Sequence, residues 1–189
     1  MSAILTESEC LSILVDEGVN PRVLRHVCTV MRVAEAIAQR CGADLALVRA
    51  GALLHDLGRG HTHSIQHGAE GARRARELGL PERLVLIIQK HVGAGIEPDN
   101  AKELGLPPLD YMPVTLEERI VCHADNLVDD ARVISSQEAY DDFAGKGLEH
   151  QGKKMLAMHR ELSEACGIDI DKMMPGIDLK DNSPCSELR

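Results

Sequence analysis

Signals that start and stop helices run through this sequence, and they constrain its fold more than any other feature. Residues 20–42 begin with an Asn-Pro pair, end at glycine, and carry apolar residues at helical spacing in between. No stretch shows the alternation of a half-buried strand. An α/β domain is the runner-up, but it lacks β-rich runs and a phosphate-binding loop. We therefore predict an all-α protein, a single helical bundle of about six to eight helices.

The chain is short enough for one domain around one core, since it has 189 residues. We predict that the domain covers residues 1–166. A long amphipathic helix is expected over residues 115–133 and another over about 149–166. Residues 167–189 are more polar and contain two prolines, which predicts a loosely attached C-terminal tail.

Charge and composition exclude some classes of function. A net charge of −9 disfavours non-specific binding to nucleic acid, and one Phe, two Tyr and no Trp disfavour extended base stacking. A small phosphorylated substrate stays compatible, because a metal and a few cations can neutralise it locally. No apolar run has the length of a membrane span and no signal peptide is recognisable, so we expect a cytoplasmic protein.

Six cysteines occur without a Cys-x-x-Cys motif. In a reducing compartment this pattern predicts free thiols packed as small hydrophobic side chains. Cys122 beside His123 remains a weak alternative as a local metal pair, because no second pair matches it.

The stretch GALLHDLGRGHTHSIQHG, residues 51–68, concentrates potential metal ligands. His55 and Asp56 end an apolar helix, where the helix dipole favours a cation and a buried carboxylate is costly without one. Two ligands cannot close a site, so others must come from elsewhere. His26 and Asp125 also interrupt apolar helical faces. A lone histidine such as His26 is more often a core residue whose hydrogen bonds are all made. An aspartate such as Asp125 more often caps a helix or forms a salt bridge.

Taken together, these residues resemble the H…HD…D pattern of the HD superfamily of metal-dependent phosphohydrolases. HDLGR is similar to the HDIG variant of its central motif, and VCHADNL resembles its closing segment. HGAEGA and IIQKHVGAG resemble the extra histidine segments of members that bind two metals. The similarity covers about residues 21–133 and is greatest to small archaeal HDIG-domain proteins. A related domain occurs fused to an archaeal tRNA ribose methyltransferase.

The resemblance implies one or two divalent metal ions, of Mn, Fe, Co, Ni, Zn or Mg, whose identity the ligand types do not decide. A metal-activated water would attack phosphorus while the ions neutralise the phosphoryl oxygens. The first ion would be held by His26, His55, Asp56 and Asp125, and the second by Asp56 as a bridge with His67 and His91.

Cations near such ions would bind the substrate phosphate. Arg59 stands where HDIG proteins often carry lysine, and with Asp56 it is our catalytic candidate. Arg74 follows His67 by seven residues on the same helical face, although its segment is more often a solvated basic face. His61 and His63 match no family position. They are either solvated loop histidines or part of the pocket mouth.

The resemblance implies a phosphohydrolase acting on a phosphomonoester, phosphodiester or phosphoanhydride of a nucleotide-type substrate. The alternative is a metal-containing accessory or binding module without turnover, linked to RNA modification or nucleotide sensing. A scaffold without metal comes third. A homo-oligomer stays open, because the first helix is apolar at Leu11, Ile13, Leu14 and Val15.

Overall fold

The computed structural model describes residues 4–179 and 185, and it confirms the all-α prediction. The described residues contain nine α-helices, more than the predicted six to eight, and one small hairpin. The helices are α1 Glu7–Asp16, α2 Pro21–Cys41, α3 Leu45–Leu54, α4 His67–Glu77, α5 Glu82–Lys90, α6 Pro98–Glu103, α7 Leu116–Asn126, α8 Ser136–Gly145 and α9 Glu149–Cys166. Short 3₁₀ helices span Leu57–Gly60, Ile170–Lys172 and Met174–Gly176, and the hairpin pairs β1 Val128–Asp129 with β2 Arg132–Val133.

Helix α3 is the centre of the bundle, packed against α1, α2, α5 and α7. Its residues Leu53 and Leu54 are fully buried, as are Val30 and Ile37 on the inner stripe of α2. The main core consists of aliphatic, alanine and sulfur-containing side chains, as expected from a sequence with few aromatic residues. Burial of this apolar surface is the main force that holds the helices together.

The predicted helix starts take their expected form. Asn20 accepts hydrogen bonds from two backbone N–H groups of α2, and Gly42 ends that helix with a φ of 72°. Thr115 and Glu118 form the reciprocal capping box of α7. These local bonds satisfy N–H groups that have no partner inside a helix.

The long helix predicted over residues 115–133 is wrong in its second half. Helix α7 ends at Asn126, and the chain then forms the β1–β2 hairpin, with Asp130 in the left-handed region at a φ of 57°. Helix α8 follows, which the prediction missed although Ser135 and Glu138 form a capping box at its start. The hairpin returns the chain so that α8 packs on α9.

The prediction of a loosely attached tail is wrong for the described part of that segment. Ile170 is fully buried in the main core, and the Asp171 carboxylate accepts hydrogen bonds from the N–H and hydroxyl groups of Ser136. Residues 180–184 and 186–189 lie outside the described residues. The domain boundary at residue 166 stays a prediction. Within the described residues, no helix combines the length and apolarity needed to cross a membrane.

The prediction of six free thiols is also wrong, because two disulfides pair cysteines that are distant in the sequence. Cys28 is bonded to Cys185 and Cys41 to Cys166, across separations of 157 and 125 residues. Cys10 and Cys122 are free and buried. Spacing cannot reveal such pairs, since only the fold brings their Cα atoms together.

We expect thiol titration of the denatured, unreduced protein to detect two thiols, and six after reduction. Reduction should also lower the melting temperature, because each bond closes a loop of more than 100 residues, for which chain-entropy models give up to about 4–5 kcal/mol. Detection of six thiols before reduction, in protein purified without reductant, would contradict the disulfides.

Candidate metal centre

Four histidines and two aspartates, from four helices and the turn after a fifth, meet at one place in the bundle. His26 lies on α2, His67 starts α4, His91 ends α5 and Asp125 lies in the last turn of α7. His55 and Asp56 do not form the last turn of α3, as predicted, because α3 ends at Leu54 and His55 is its C-cap. His55 and Asp56 therefore stand on the turn that leaves the helix, at the centre of the group.

The first cluster consists of His26, His55 and Asp125. Oδ1 of Asp125 lies 2.9 Å from Nε2 of His26 and 3.4 Å from Nε2 of His55. The His26 and His55 ring centroids are 5.4 Å apart. These three ligand atoms lie close enough together to hold one metal ion.

The second cluster is built on Asp56. Its Oδ1 lies 3.4 Å from Nε2 of His67 and 3.7 Å from Nε2 of His91, and its Oδ2 lies 3.8 Å from Nε2 of His55. Asp56 thus faces both clusters, as a carboxylate that bridges two ions must do. All four side chains of this cluster are buried.

Every histidine of the centre is oriented in the same way by the backbone. In each case Nδ1 donates a hydrogen bond to a carbonyl oxygen, which leaves Nε2 unprotonated in the neutral ring and directed to the centre. The acceptors, at 2.6–2.8 Å, are Ala52 for His55, Ser64 for His67, Ile88 for His91 and Asp130 for His26. Such outer hydrogen bonds are typical of metal-ligating histidines, because they fix both ring orientation and tautomer.

Two contacts at the centre are unfavourable for the protein alone. Nε2 of His67 lies 3.0 Å from Nε2 of His91, so the neutral rings bring two lone pairs face to face. Nε2 of His55 is buried and, when the ring is neutral, has no hydrogen-bond donor facing it among the described residues. A bound cation satisfies all three nitrogens. The residues therefore fit divalent metal, and the mixture of imidazole and carboxylate suits Mn, Fe, Co, Ni or Zn.

The charges of the centre are strongly coupled. Burial opposes protonation of His55, but the carboxylates of Asp56 and Asp125 outweigh it and raise its pKa to about 9. Burial would raise the pKa of Asp125, yet His55 and His26 hold it well below its ordinary value. Burial and the neighbouring His91 lower the pKa of His67 to about 4. Without metal, the centre thus holds a proton on His55 at neutral pH, while His67 is neutral.

We expect metal affinity to rise by up to about tenfold per pH unit between pH 7 and 9 and then to level off. The reason is that His55, with its raised pKa, must lose a proton before it can bind an ion. His26 adds to the rise, because Asp125 outweighs the effect of burial and raises its pKa as well. His67 is already neutral and adds nothing in this range. Competition with a chelator of known affinity at each pH measures the slope. A flat profile from pH 7 to 9 would contradict a protonated His55 in the metal-free centre.

A cavity of about 1050 Å³ opens beside the centre, with His67, Asp125 and Arg59 in its lining. The Arg59 guanidinium binds Oδ1 of Asp56 through Nε at 3.3 Å and the His63 carbonyl oxygen at 2.8 Å. Arg59 therefore contacts the metal centre and the cavity at once. Its role in binding phosphate stays a prediction.

Three other predicted residues are not brought into the cavity lining. Arg74 forms two hydrogen bonds with Glu17 and another with Glu77. His61 binds the same Glu17 carboxylate at 2.8 Å. His63 is exposed and contributes its backbone carbonyl to Arg59. The structure thus gives Arg74 and His61 a structural explanation, in which they join α1 to α4 and to the loop after Asp56.

Sequence reasoning missed the far wall of the cavity. The hairpin, α8 with its C-cap and the start of α9 supply it, including Arg132, Phe143, Lys146 and Gln151, and Asn126 at the end of α7 adjoins them. No motif marks these residues, and the missed helix α8 carries several of them. When the helix itself has not been predicted, the sequence cannot show which of its charged or amide side chains face a cavity.

A second histidine cluster lies between α7 and α9. His123 and His159 are bonded through ring nitrogens 3.0 Å apart, and His159 also contacts Asp169 at 3.2 Å. Asp169 caps the 3₁₀ helix Ile170–Lys172, and Asp171 is held by Ser136. These carboxylates therefore have structural partners. His123 points away from the metal centre, as its position two residues before Asp125 predicts.

The chain is similar in sequence to a known family and to archaeal proteins. The family model described as the HD domain matches residues 23–129. The chain is 43% identical over 165 residues to a tRNA (cytidine(56)-2'-O)-methyltransferase of Picrophilus torridus, a match that covers 87% of this chain and 48% of that protein. It is 47% identical over 122 residues to an uncharacterized protein of Methanocaldococcus jannaschii, covering 64% of this chain and 72% of that one.

Among solved structures, the chain is similar to the HD domain of the phosphodiesterase PgpH of L. monocytogenes. The TM-score is 0.60 at 17% identity, and the match covers 88% of this chain and 97% of that one. The same domain in complex with cyclic-di-AMP gives a TM-score of 0.54 at 19% identity, covering 84% and 95%. At these identities the likeness shows a shared fold. The chain spans about half the length of the methyltransferase that it matches.

Proposed function

Because the chain belongs to the HD domain family, we propose that it is a metal-dependent phosphohydrolase acting on a phosphoester or phosphoanhydride of a nucleotide-type substrate. The observation that carries this proposal is the position of Asp56. It faces the two histidine clusters and also binds Arg59, which lines a cavity large enough for a nucleotide.

The residues divide into ligands and positioning groups. His26, His55, Asp56 and Asp125 would hold one ion, and Asp56, His67 and His91 a second. Bound ions of this kind acidify water and neutralise charge on phosphoryl oxygens. Arg59 would orient the substrate phosphate, and its hydrogen bond to the His63 carbonyl fixes the guanidinium toward the cavity. The native metal is among Mn, Fe, Co, Ni, Zn and Mg.

Hydrolysis of a substrate panel tests the proposal. The panel contains nucleoside mono-, di- and triphosphates, cyclic and linear dinucleotides, and dinucleoside polyphosphates. We expect release of phosphate or nucleotide by protein loaded with Mn, Co or Zn, and none after the metal is removed by a chelator. A protein that binds stoichiometric metal but leaves the whole panel intact would sink the proposal.

A second candidate is an accessory module without turnover that takes part in RNA modification. The name of the Picrophilus torridus relative supports it more directly than any comparison supports hydrolysis, because the match covers most of this chain at 43% identity. Methyl transfer itself belongs to that whole protein, of which this chain covers about half. The net charge of −9 weighs against an extended RNA footprint.

The second candidate predicts binding to transfer RNA that does not depend on phosphate release. Fluorescence anisotropy with labelled tRNA, and with a DNA duplex of equal charge as control, measures it. Selective binding of tRNA together with an inert substrate panel would favour the accessory module. Hydrolysis without selective tRNA binding would favour the enzyme. Cytoplasmic localisation is part of either proposal.

A further inference from the structure

The cavity wall formed by α8 and the start of α9 contains an amide oxygen without a partner in the described residues. Gln151 lies in the first turn of α9, and its Oε1 is buried and makes no hydrogen bond within the described part of the chain. A Cβ placed on Gly93 would lie 3.9 Å from this oxygen, and Gly93 follows the ligand His91 by two residues. A buried acceptor left unpaired costs about 1–3 kcal/mol, so this position favours a ligand that donates a hydrogen bond.

Phe143 adjoins Gln151 on the same wall. It is the single phenylalanine of the sequence, lies on α8 and lines the cavity while only partly buried. A Cβ placed on Gly152, the neighbour of Gln151, would lie 3.1 Å from the Phe143 Cβ. The wall therefore presents a hydrogen-bond acceptor beside an aromatic side chain.

The charges of the cavity determine which end takes a phosphate. Arg132 is paired with Glu138 and Asp129, and Lys146 with Asp142. These cations on the far wall are thus neutralised by acids of the protein. The phosphate is directed to the metal centre and Arg59, and the far wall is left for an uncharged part of the ligand.

Asn126, beside the ligand Asp125, adds a second acceptor. Its amide N–H groups donate to the carbonyl oxygens of Gly93 and Cys122, at 2.6 and 2.9 Å. The side chain therefore offers the cavity its carbonyl oxygen. Two amide acceptors near the metal ligands suit a group rich in hydroxyls, such as a sugar.

We propose that the cavity binds a ribonucleotide, with the sugar hydroxyls donating to Gln151 and the base stacked on Phe143. This assignment deepens the proposed function and rests on it for the position of the phosphate. Base stacking on an aromatic side chain and one neutral hydrogen bond are each large enough to be measured separately.

Binding of phosphonate analogues, in which CH₂ replaces the ester oxygen so that no hydrolysis occurs, tests the assignment. Calorimetry on metal-loaded protein should show adenosine 5′-phosphonate binding about tenfold more tightly than ribose 5-phosphonate. At least one of the 2′-deoxy and 3′-deoxy analogues should bind about fivefold more weakly than the ribo form. Two results with the wild-type protein would each overturn the proposal: equal affinity with and without the base, or equal affinity with and without both hydroxyls.

Two variants assign the effects to residues. Phe143→Leu keeps an apolar side chain for packing and should abolish the preference for the base. Gln151→Leu should abolish the preference for the hydroxyl. Inorganic phosphate, which needs only the metal centre, should bind both variants as it binds the wild type. Preferences that survive unchanged in both variants would place the nucleoside elsewhere and overturn the assignment.

The same data separate this inference from the proposed hydrolysis. If the base and hydroxyl preferences hold but no nucleotide is cleaved, the cavity assignment stands and the enzyme proposal fails. If nucleotides are cleaved but base-bearing and base-free ligands bind equally, the enzyme proposal stands and the cavity assignment fails.

Discussion

Asp56→Asn is expected to abolish turnover and to reduce bound metal to at most one ion. Asparagine keeps the size of the side chain but removes the charge that faces both histidine clusters and Arg59. Loss of a bridging carboxylate removes several kcal/mol of transition-state stabilisation, so the rate should fall by on the order of 1,000-fold or more. Metal analysis and initial rates on the best substrate of the panel measure both effects.

Asp169→Asn is the matched control for this variant. Asp169 also contacts a buried histidine, His159, but it lies at the far end of α9, away from the cavity. We expect wild-type metal content and turnover, with at most a small change in stability, because asparagine caps a helix about as well as aspartate does. If Asp56→Asn retained two ions and full activity, the centre described here would not be the catalytic one.

The structure brings the six predicted ligands together, and several of them are marked by local signals in the sequence. His55 and Asp56 were expected at the end of an apolar helix, and the structure places them on the turn after α3. His26 and Asp125 interrupt apolar faces, and burial brings such faces together in one core. The resemblance supplied what the residues alone left open, namely which distant histidines join them.

The errors come from features that depend on the fold as a whole. The disulfides join residues more than 120 positions apart, so their pairing depends on tertiary packing. Arg74 has the right helical face for the cavity, but Glu17 of the turn after α1 binds it instead. The hairpin after α7 was missed because residues 115–133 keep an amphipathic helical pattern through the turn at Asp130.

The structure leaves no space for a side chain at Gly58, two residues after Asp56. A Cβ at this position would lie 2.0 Å from the carbonyl oxygen of His67 and 2.8 Å from the amide nitrogen of Gly71. Helix α4 therefore packs with its backbone directly against the 3₁₀ helix Leu57–Gly60. This close approach brings His67 to Asp56, so the glycine is required by space at the metal centre.

Gly58→Ala is accordingly expected to displace α4 and to lose the second ion. Backbone atoms cannot move away from the new methyl group by changing rotamer. The free energy of unfolding should therefore fall by about 3 kcal/mol or more, the upper part of the usual range for overpacking. Gly145→Ala is the matched control, because a Cβ there meets nothing within 4 Å and alanine favours the helix by up to about 1 kcal/mol. Thermal unfolding and metal content of the two variants give the comparison.

Since His26, His55 and Asp125 do not depend on α4, a folded Gly58→Ala protein should keep the first ion. Loss of the first ion with retention of the second would contradict the division of ligands between the two clusters.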